Sequence, residues 1–157
     1  MRKVAIVFML HIAASNALCQ EHKLQGTYIH KYGKNTEDPY QFLAIYSKGS
    51  NTFFYLEAGR GAPSYNSCAM YRTMVFDKQS KTMRYIPEDT TNDCTLEFVQ
   101  KNNQIIVRTI SGSCPFGNGV YADGIYTVKN KSNPEYFTDR HDHKIFFSKT
   151  PPEKYLE

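Results

Sequence analysis

Hydrophobic and polar residues alternate along most of the chain in short runs with a period of two. From Leu24 onward these runs are rich in Tyr, Phe, Ile, Val and Thr, and clusters of Gly, Asn, Pro, Asp and Ser separate them. This alternation places one set of side chains on each face of a β-strand, and the 3.6-residue period of a helix is missing. The pattern predicts an all-β protein with nine strands: 24–32, 40–48, 51–57, 69–77, 82–87, 94–101, 104–111, 124–129 and 143–148.

The connections predict how these strands pair. Lys48-Gly49-Ser50-Asn51 and Asn102-Asn103 have the composition of tight hairpin turns, because Gly and Asn tolerate a positive φ. Parallel strands would need long crossovers, so we expect an antiparallel up-and-down meander. Strands with one apolar face must bury it, which favours closure into a small calycin-like barrel, with a β-sandwich as the alternative.

Three longer segments interrupt the meander. They are 58–66, 112–124 and 130–142. The first is Gly-rich, and the second contains four Gly. We expect all three to be shaped loops of a single domain over 18–149, followed by a tail over 150–157 that begins near Pro151-Pro152.

The N-terminal segment has the layout of a secretory signal peptide over 1–17. Arg2 and Lys3 precede an apolar stretch, and Ser15-Asn16-Ala17 is a small-x-small cleavage site. Cleavage after Cys19 is the alternative. Lipidation of Cys19 is disfavoured because Leu18 is bulky. The sequence therefore predicts a secreted or periplasmic protein with no transmembrane segment in the mature chain.

The charge of the chain gives no sign of a nucleic-acid partner. Its 157 residues include 19 Lys and Arg against 15 Asp and Glu, a net charge of +4. Loss of Arg2 and Lys3 with the signal leaves 17 against 15, a net charge of +2, and the remaining cations are scattered.

The cysteines of an exported chain are interpreted first as disulfides. If the hairpin of 94–101 and 104–111 turns at Asn102-Asn103, facing positions sum to 205, and Cys94 faces position 111. A short loop then brings Cys114 within bridging distance, so we predict a Cys94–Cys114 disulfide. Cys68 stays a thiol unless Cys19 is retained and reaches it.

Catalytic chemistry has little support in the sequence. Asp139, His141 and His143 are the most metal-like group, since the two His are two residues apart and project to one side of a strand. A polar hairpin turn is the favoured interpretation of this segment. No Gly-x-Ser-x-Gly elbow or phosphate-binding Gly loop occurs. We assign no catalytic residue, no metal and no cofactor.

Three segments carry a resemblance. They are 94–126, with Cys114-Pro115-Phe116-Gly117 and Tyr121-Ala122-Asp123-Gly124-Ile125-Tyr126, then Gly59 to Asn66, and Pro134 to Phe147. Together they resemble small exported bacterial β-domains, although Pro115 stands where Gly is usual. The resemblance implies a secreted or periplasmic domain. Similar patterns accompany lysozyme-inhibitor modules of the cell envelope.

These observations predict an exported, non-catalytic binding module for an as yet unidentified protein or cell-envelope component. Arg and aromatic residues on loops supply much of the energy of interfaces, so we expect Arg60, Tyr65, Phe116 and Tyr121 to make the contacts. The alternatives are a lysozyme inhibitor-like protein, which would need an acidic face, and a small metal-dependent hydrolase using 139–143. A carrier of small apolar ligands would need a cavity inside the barrel.

Overall fold

The fold is an eight-stranded antiparallel barrel in chain order. The computed structural model describes residues 24–31, 35, 37–88 and 94–155, so the predicted signal peptide and Cys19 lie outside the described residues. The barrel strands are β1 (Gly26–Lys31), β2 (Tyr40–Lys48), β3 (Asn51–Gly59), β4 (Ser67–Asp77), β5 (Thr82–Tyr85), β6 (Thr95–Lys101), β7 (Gln104–Ser111) and β8 (Gly124–Asn130). Each strand pairs with the next, and β8 pairs with β1 to close the barrel. The predicted up-and-down barrel is confirmed, in preference to the sandwich.

Two short strands stand outside the barrel. The segment 143–148 forms β10 (Lys144–Phe146), which pairs with β9 (Tyr136–Thr138) in a separate two-stranded sheet. We call this hairpin, residues 136–146, the strap. The sequence prediction was wrong on two points here, because it counted 143–148 as a ninth barrel strand and left β9 inside a loop. β9 has three residues, too few to establish a period of two.

Large side chains fill the barrel interior. Leu43, Phe54, Leu56, Leu96 and Ile105 are completely buried. They belong to one apolar cluster with residues from all eight strands or their flanks. Next to the turns after β4 and β6, an open cleft of about 430 Å³ reaches Leu24 and Phe98 of this cluster and Met83, which packs against it, so the carrier of apolar ligands stays a prediction.

A second apolar core lies outside the barrel, between its wall and the strap. Phe137 stacks on Tyr55 of β3 with ring centroids 3.9 Å apart, and Phe147 stacks on Tyr46 of β2 at 5.2 Å. The predicted tail also packs here. A 3₁₀ turn over Pro152–Lys154 precedes Tyr155, whose ring lies 5.8 Å from that of Phe137. The outer face of β2–β4 is therefore covered, as an apolar sheet face must be.

The hairpin of β6 and β7 has the predicted register. Leu96 faces Thr109 and Lys101 faces Gln104, both pairs summing to 205. A bulge between Thr95 and Leu96 shifts the pairing by one residue at the end of the hairpin. The predicted disulfide lies just beyond this bulge and joins Cys94 to Cys114, with Cα atoms 4.6 Å apart.

Candidate functional site

The longer connections of the barrel lie at one end. Successive strands run in opposite directions, so alternate connections fall at opposite ends. Those after β2, β4 and β6 are turns of two to four residues, whereas those after β1, β3, β5 and β7 are longer. We call this second end the loop end. It carries the β3–β4 loop (60–66) and the β7–β8 loop (112–123), which are the two Gly-rich segments singled out in the sequence.

The β3–β4 and β7–β8 loops are bonded to each other. The Asn66 side-chain amide donates to the carbonyl oxygen of Asn118 at 3.1 Å. At the start of β4, the Cys68 thiol donates to the carbonyl oxygen of Pro115 at 3.2 Å. Two segments that are about 50 residues apart in sequence therefore form one continuous surface.

Arg60 lies across this junction. Its backbone N–H donates to the Asn66 carbonyl oxygen at 2.8 Å, which closes the β3–β4 loop. Its guanidinium packs against Gly119, where a Cβ atom would lie 2.7 Å from Nη1. Gly119 also has a φ of +74°, which favours glycine. A side chain at position 119 would therefore displace the Arg60 guanidinium.

The β7–β8 loop is fixed where it returns to the barrel. Both carboxylate oxygens of Asp123 accept hydrogen bonds from Thr109, one from its backbone N–H at 2.9 Å and one from its hydroxyl at 2.7 Å. The buried side chain of Gln41 donates from Nε2 to the carbonyl oxygen of Tyr121. Together with the disulfide, these bonds give the loop a defined shape.

Three of the four predicted contact residues are exposed at the loop end. Tyr65 and Tyr121 are 61% and 67% exposed, and Arg60 is exposed beside them. Phe116 differs, because it is half-buried and packs against the barrel core. Loop periodicity does not reveal which way a side chain points, so the sequence could not separate Phe116 from the others.

Tyr65 is held in an unusual backbone conformation. Its φ is +47°, in the left-handed region that residues with a Cβ rarely adopt. Its N–H donates to the Gly61 carbonyl oxygen at 2.8 Å, which holds this turn in place. Such strain costs of the order of 1 kcal/mol, and it concentrates at ligand-binding positions. The strained turn holds a largely exposed aromatic ring.

Two clefts border these residues. One of about 300 Å³ lies between the two loops and is lined in part by Gln41, Arg60 and Tyr121. The other, of about 390 Å³, lies within the β7–β8 loop between Thr109 and Asp123. Both volumes lie near the lower end of the range for ligand-binding clefts.

The 139–143 segment is the turn of the strap. The Asp139 carboxylate accepts backbone N–H groups from His141 at 2.8 Å and from His143 at 2.9 Å, so it closes the turn. The His143 side chain is 71% exposed. Among the described residues, no group of three or more His, Cys, Asp and Glu side chains is placed to hold a metal ion. The metal-dependent hydrolase stays a prediction.

The Asp139 carboxylate makes the strap sensitive to acid. Burial tends to raise its pKa, but the backbone N–H groups of His143 and His141 and the nearby His143 ring lower it below the ordinary 3.8. Because the folded pKa is the lower one, Asp139 stabilises the fold above pH 3.8 and loses that contribution as the pH falls through the folded pKa. We expect Asp139→Ala to lower the free energy of unfolding by about 1 kcal/mol at pH 7.

Urea unfolding between pH 2 and 7 measures this effect. The difference between wild type and Asp139→Ala should shrink below pH 4. The exposed neighbour Asp142, replaced by Asn, serves as the control and should leave the pH profile unchanged. A difference that stays constant down to pH 2 would contradict the assigned role of the carboxylate.

Sequence reasoning missed two residues that organise the loop end. Gln41 is a polar side chain at an inward-facing position of β2, and Asn66 ends the β3–β4 loop. A buried Gln inside an otherwise apolar strand was a usable signal, because buried polar groups require a partner. The partner itself could not be found from sequence, since the Tyr121 carbonyl is 80 residues away.

Comparisons with known proteins do not assign a function to this site. No protein-family model matches the chain. No curated protein and no solved structure matches it either. Across the part of the chain that the structure describes, no helix has the length and apolar character needed to cross a membrane.

Proposed function

We propose that this protein is an exported, non-catalytic binding module that recognises a protein or a cell-envelope component through its loop end. One observation carries the proposal: two Gly-rich loops are bonded together on a rigid barrel and expose Arg60, Tyr65 and Tyr121 on one surface. Tyr and Arg are, with Trp, the residue types enriched among those that dominate binding energy at interfaces.

Preorganisation of the loops supports this role. Binding costs free energy for every loop that must be ordered, so a surface that is already fixed binds more tightly. The disulfide at Cys114 and the Asp123–Thr109 bonds fix the two ends of the β7–β8 loop, and Asn66 fixes its middle. The Tyr side chains add large contact areas at a low cost in side-chain entropy.

The charge of the loop end indicates the kind of partner. Arg60 and Asp123 are the two charged residues within the loops, and Thr109 engages both oxygens of Asp123. Arg60 is therefore the cation of these two loops, which favours an anionic or aromatic group opposite it on the partner.

The neighbouring β1–β2 connection adds the exposed Glu37 and the half-buried Asp38 at the same end, and the Glu37 carbonyl oxygen accepts the Ala62 N–H at 3.0 Å. A lysozyme is strongly basic and would need an acidic face, so the inhibitor hypothesis depends on Glu37 and Asp38 and gains no support from the two Gly-rich loops.

The predicted leader and the cysteine bridge together support export. Disulfides persist in oxidising compartments and are rare in the cytosol. The structure contains such a bridge, between Cys94 and Cys114. We therefore place the binding module outside the cytosol, in the periplasm or beyond the cell.

Affinity capture with the exported chain as bait tests the proposal. The bait is exposed to envelope extract and, separately, to purified lysozymes. We expect a partner that is retained by wild type and lost with Arg60→Ala/Tyr65→Gly/Tyr121→Ala, with affinity reduced at least about tenfold. Gly is chosen at position 65 because it accepts the positive φ.

A second triple variant provides the matched control. Val75 and Phe76 are exposed apolar residues at the end of β4 that is remote from the two loops, and Lys101 is exposed at the same end of the barrel. Replacing all three by Ala should leave capture unchanged. Equal loss of the partner in both triple variants, or capture of no partner, would contradict the proposal. Capture of lysozyme alone would support the inhibitor hypothesis instead.

A further inference from the structure

The strap has two edges that no described strand covers, one on β9 and one on β10. The two-stranded sheet contains only β9 and β10, so one edge of β9 remains outside the ladder in the part of the chain described. The Phe147 N–H donates to the Glu135 carbonyl at 3.1 Å, and the Asp139 N–H donates to the His143 carbonyl at 3.0 Å. These bonds establish which residues of β9 exchange backbone hydrogen bonds with β10, because bonded positions recur every second residue in an antiparallel pair.

This alternation of bonded and non-bonded positions determines which backbone groups of β9 point outward. Residues 135, 137 and 139 turn their N–H and C=O groups toward β10. Tyr136 and Thr138 turn theirs the other way, toward the uncovered edge. Both residues are exposed, whereas Phe137 between them is buried against the barrel. An edge strand with outward-pointing N–H and C=O groups is a template for another strand.

A cleft of about 610 Å³ lies beside this edge. All three residues of β9 line it, and its other lining residues come from the outer wall of the barrel: Thr27, Phe42, Glu57, Lys129 and Asn130. A strand added to β9 would lie about 4.8 Å away, over this wall. The volume is within the range of ligand-binding clefts, and Phe42 gives the floor an apolar part.

The cleft has a fixed carboxylate at one end. Glu57 accepts the Tyr40 hydroxyl at 2.5 Å and the Tyr55 hydroxyl at 3.0 Å. Burial, together with Glu57 itself, raises the pKa of both phenols well above 10.0, so both remain donors. Among the described residues, no Lys, Arg or His forms a salt bridge with Glu57.

The lysine of the cleft forms no salt bridge with this carboxylate. Lys129 is on β8 and Glu57 is on β3, with β1 and β2 between them. Three strand spacings, roughly 14 Å, separate their backbones. Arg140, in the turn of the strap, is near enough to lower the pKa of Tyr40, which donates to Glu57, but it forms no salt bridge with the carboxylate. Glu57 can therefore accept a cation brought by a ligand.

We propose that the edge of β9 and the adjoining cleft bind an extended peptide segment of a partner protein, which adds a third strand to the strap and places a Lys or Arg side chain at Glu57. The outward N–H and C=O groups of Tyr136 and Thr138 supply the backbone bonds, and the pocket at Glu57 supplies selectivity. This surface is separate from the loop end and does not depend on the function proposed for it.

A displayed library of random nine-residue peptides, selected against the exported chain, tests this inference. We expect enriched peptides to combine a basic residue with β-branched neighbours, because such residues favour strands. On binding, amide exchange should slow at Tyr136 and Thr138 and stay unchanged at Phe137, whose N–H already faces β10.

Matched proline variants identify the edge. Thr138→Pro removes an N–H that faces the cleft and no bond to β10, so we expect the affinity of selected peptides to fall at least about tenfold. Lys144 is the residue paired with Thr138, and its N–H points away from β9 on the opposite edge. Lys144→Pro should therefore keep the affinity within about twofold of wild type.

The charge is tested separately. Glu57→Gln should weaken a Lys-containing peptide about fivefold or more and leave its norleucine analogue unchanged. Glu97→Gln is the control, because Glu97 is paired with Arg84 on another part of the wall. The loop-end triple variant should bind the peptides as wild type does.

Three results would overturn the proposal. One is the enrichment of no peptide, or of peptides that bind Thr138→Pro equally well. Another is unchanged amide exchange at Tyr136 and Thr138 when the protein is saturated with peptide. The third is a dimer of the chain itself that Thr138→Pro abolishes, seen by sedimentation, which would assign the edge to a second copy.

Discussion

Phe137→Ala is expected to lower the free energy of unfolding by about 3–5 kcal/mol, the range measured for removal of a buried aromatic ring. Phe137 is 2% exposed and lies at the centre of the core between the strap and the wall. Its ring stacks on Tyr55 at 3.9 Å, meets the edge of Tyr71 at 4.9 Å and lies 5.2 Å from Phe147. A methyl group at this position would leave four aromatic neighbours, Tyr155 included, facing a cavity.

Urea unfolding followed by circular dichroism gives the stability, and hydrogen exchange shows where it is lost. The amides of β9 and β10 should lose protection before those of β2 and β3, because the barrel keeps its own core. Tyr136→Ala is the matched control, since Tyr136 is the preceding residue on the opposite face and is 40% exposed. It should cost less than about 1 kcal/mol. A comparable cost for the two variants would show that the strap does not depend on this core.

The barrel could be predicted from the sequence because its signal is local. Alternation over six to eleven residues identifies a strand by itself, and β2, β3, β4, β6 and β7 all have this length. Short turns then force neighbouring strands to pair, so the order of the barrel follows from the order of the chain. The placement of Cys94 opposite the end of β7 followed from the same local register, with the bulge at Thr95 as the one departure.

The second strand and the turn of the strap were predicted, but β9 and the position of the strap outside the barrel were not, because the stability of the strap is not local. β9 and β10 have three residues each, and a hairpin of this size does not persist alone in water. It exists because Phe137 and Phe147 are buried against Tyr55 and Tyr46 of the barrel. These contacts join residues that are about 80 to 100 positions apart, and no pattern within the strap specifies them.

The position of the two Gly-rich loops at one end of the barrel could also be predicted, because it follows from the order of the strands. Both Gly-rich loops follow odd-numbered strands, so an up-and-down order places them at the same end. The direction of each side chain was beyond the sequence, because loops lack a period. Phe116 packs into the core while Tyr121, five residues later, is exposed.

Loss of the Cys94–Cys114 bridge is the second large effect that we expect. The bridge joins residues 20 positions apart. Closing a loop of this size lowers the entropy of the unfolded chain and so stabilises the fold by about 3 kcal/mol. Cys94→Ala/Cys114→Ala should therefore lower the free energy of unfolding by about 3 kcal/mol, measured in urea without reductant. Cys68→Ser keeps a donor for the Pro115 carbonyl and should cost less than about 1 kcal/mol.

The same double variant separates stability from recognition. The bridge acts mainly on the unfolded chain, whereas Asn66 and the Asp123–Thr109 bonds still hold the folded β7–β8 loop without it. We therefore expect affinity for a loop-end partner to fall only about threefold, well below the effect of the loop-end triple variant. Complete loss of binding in a folded double variant would mean that the bridge, rather than these hydrogen bonds, gives the loop its binding shape.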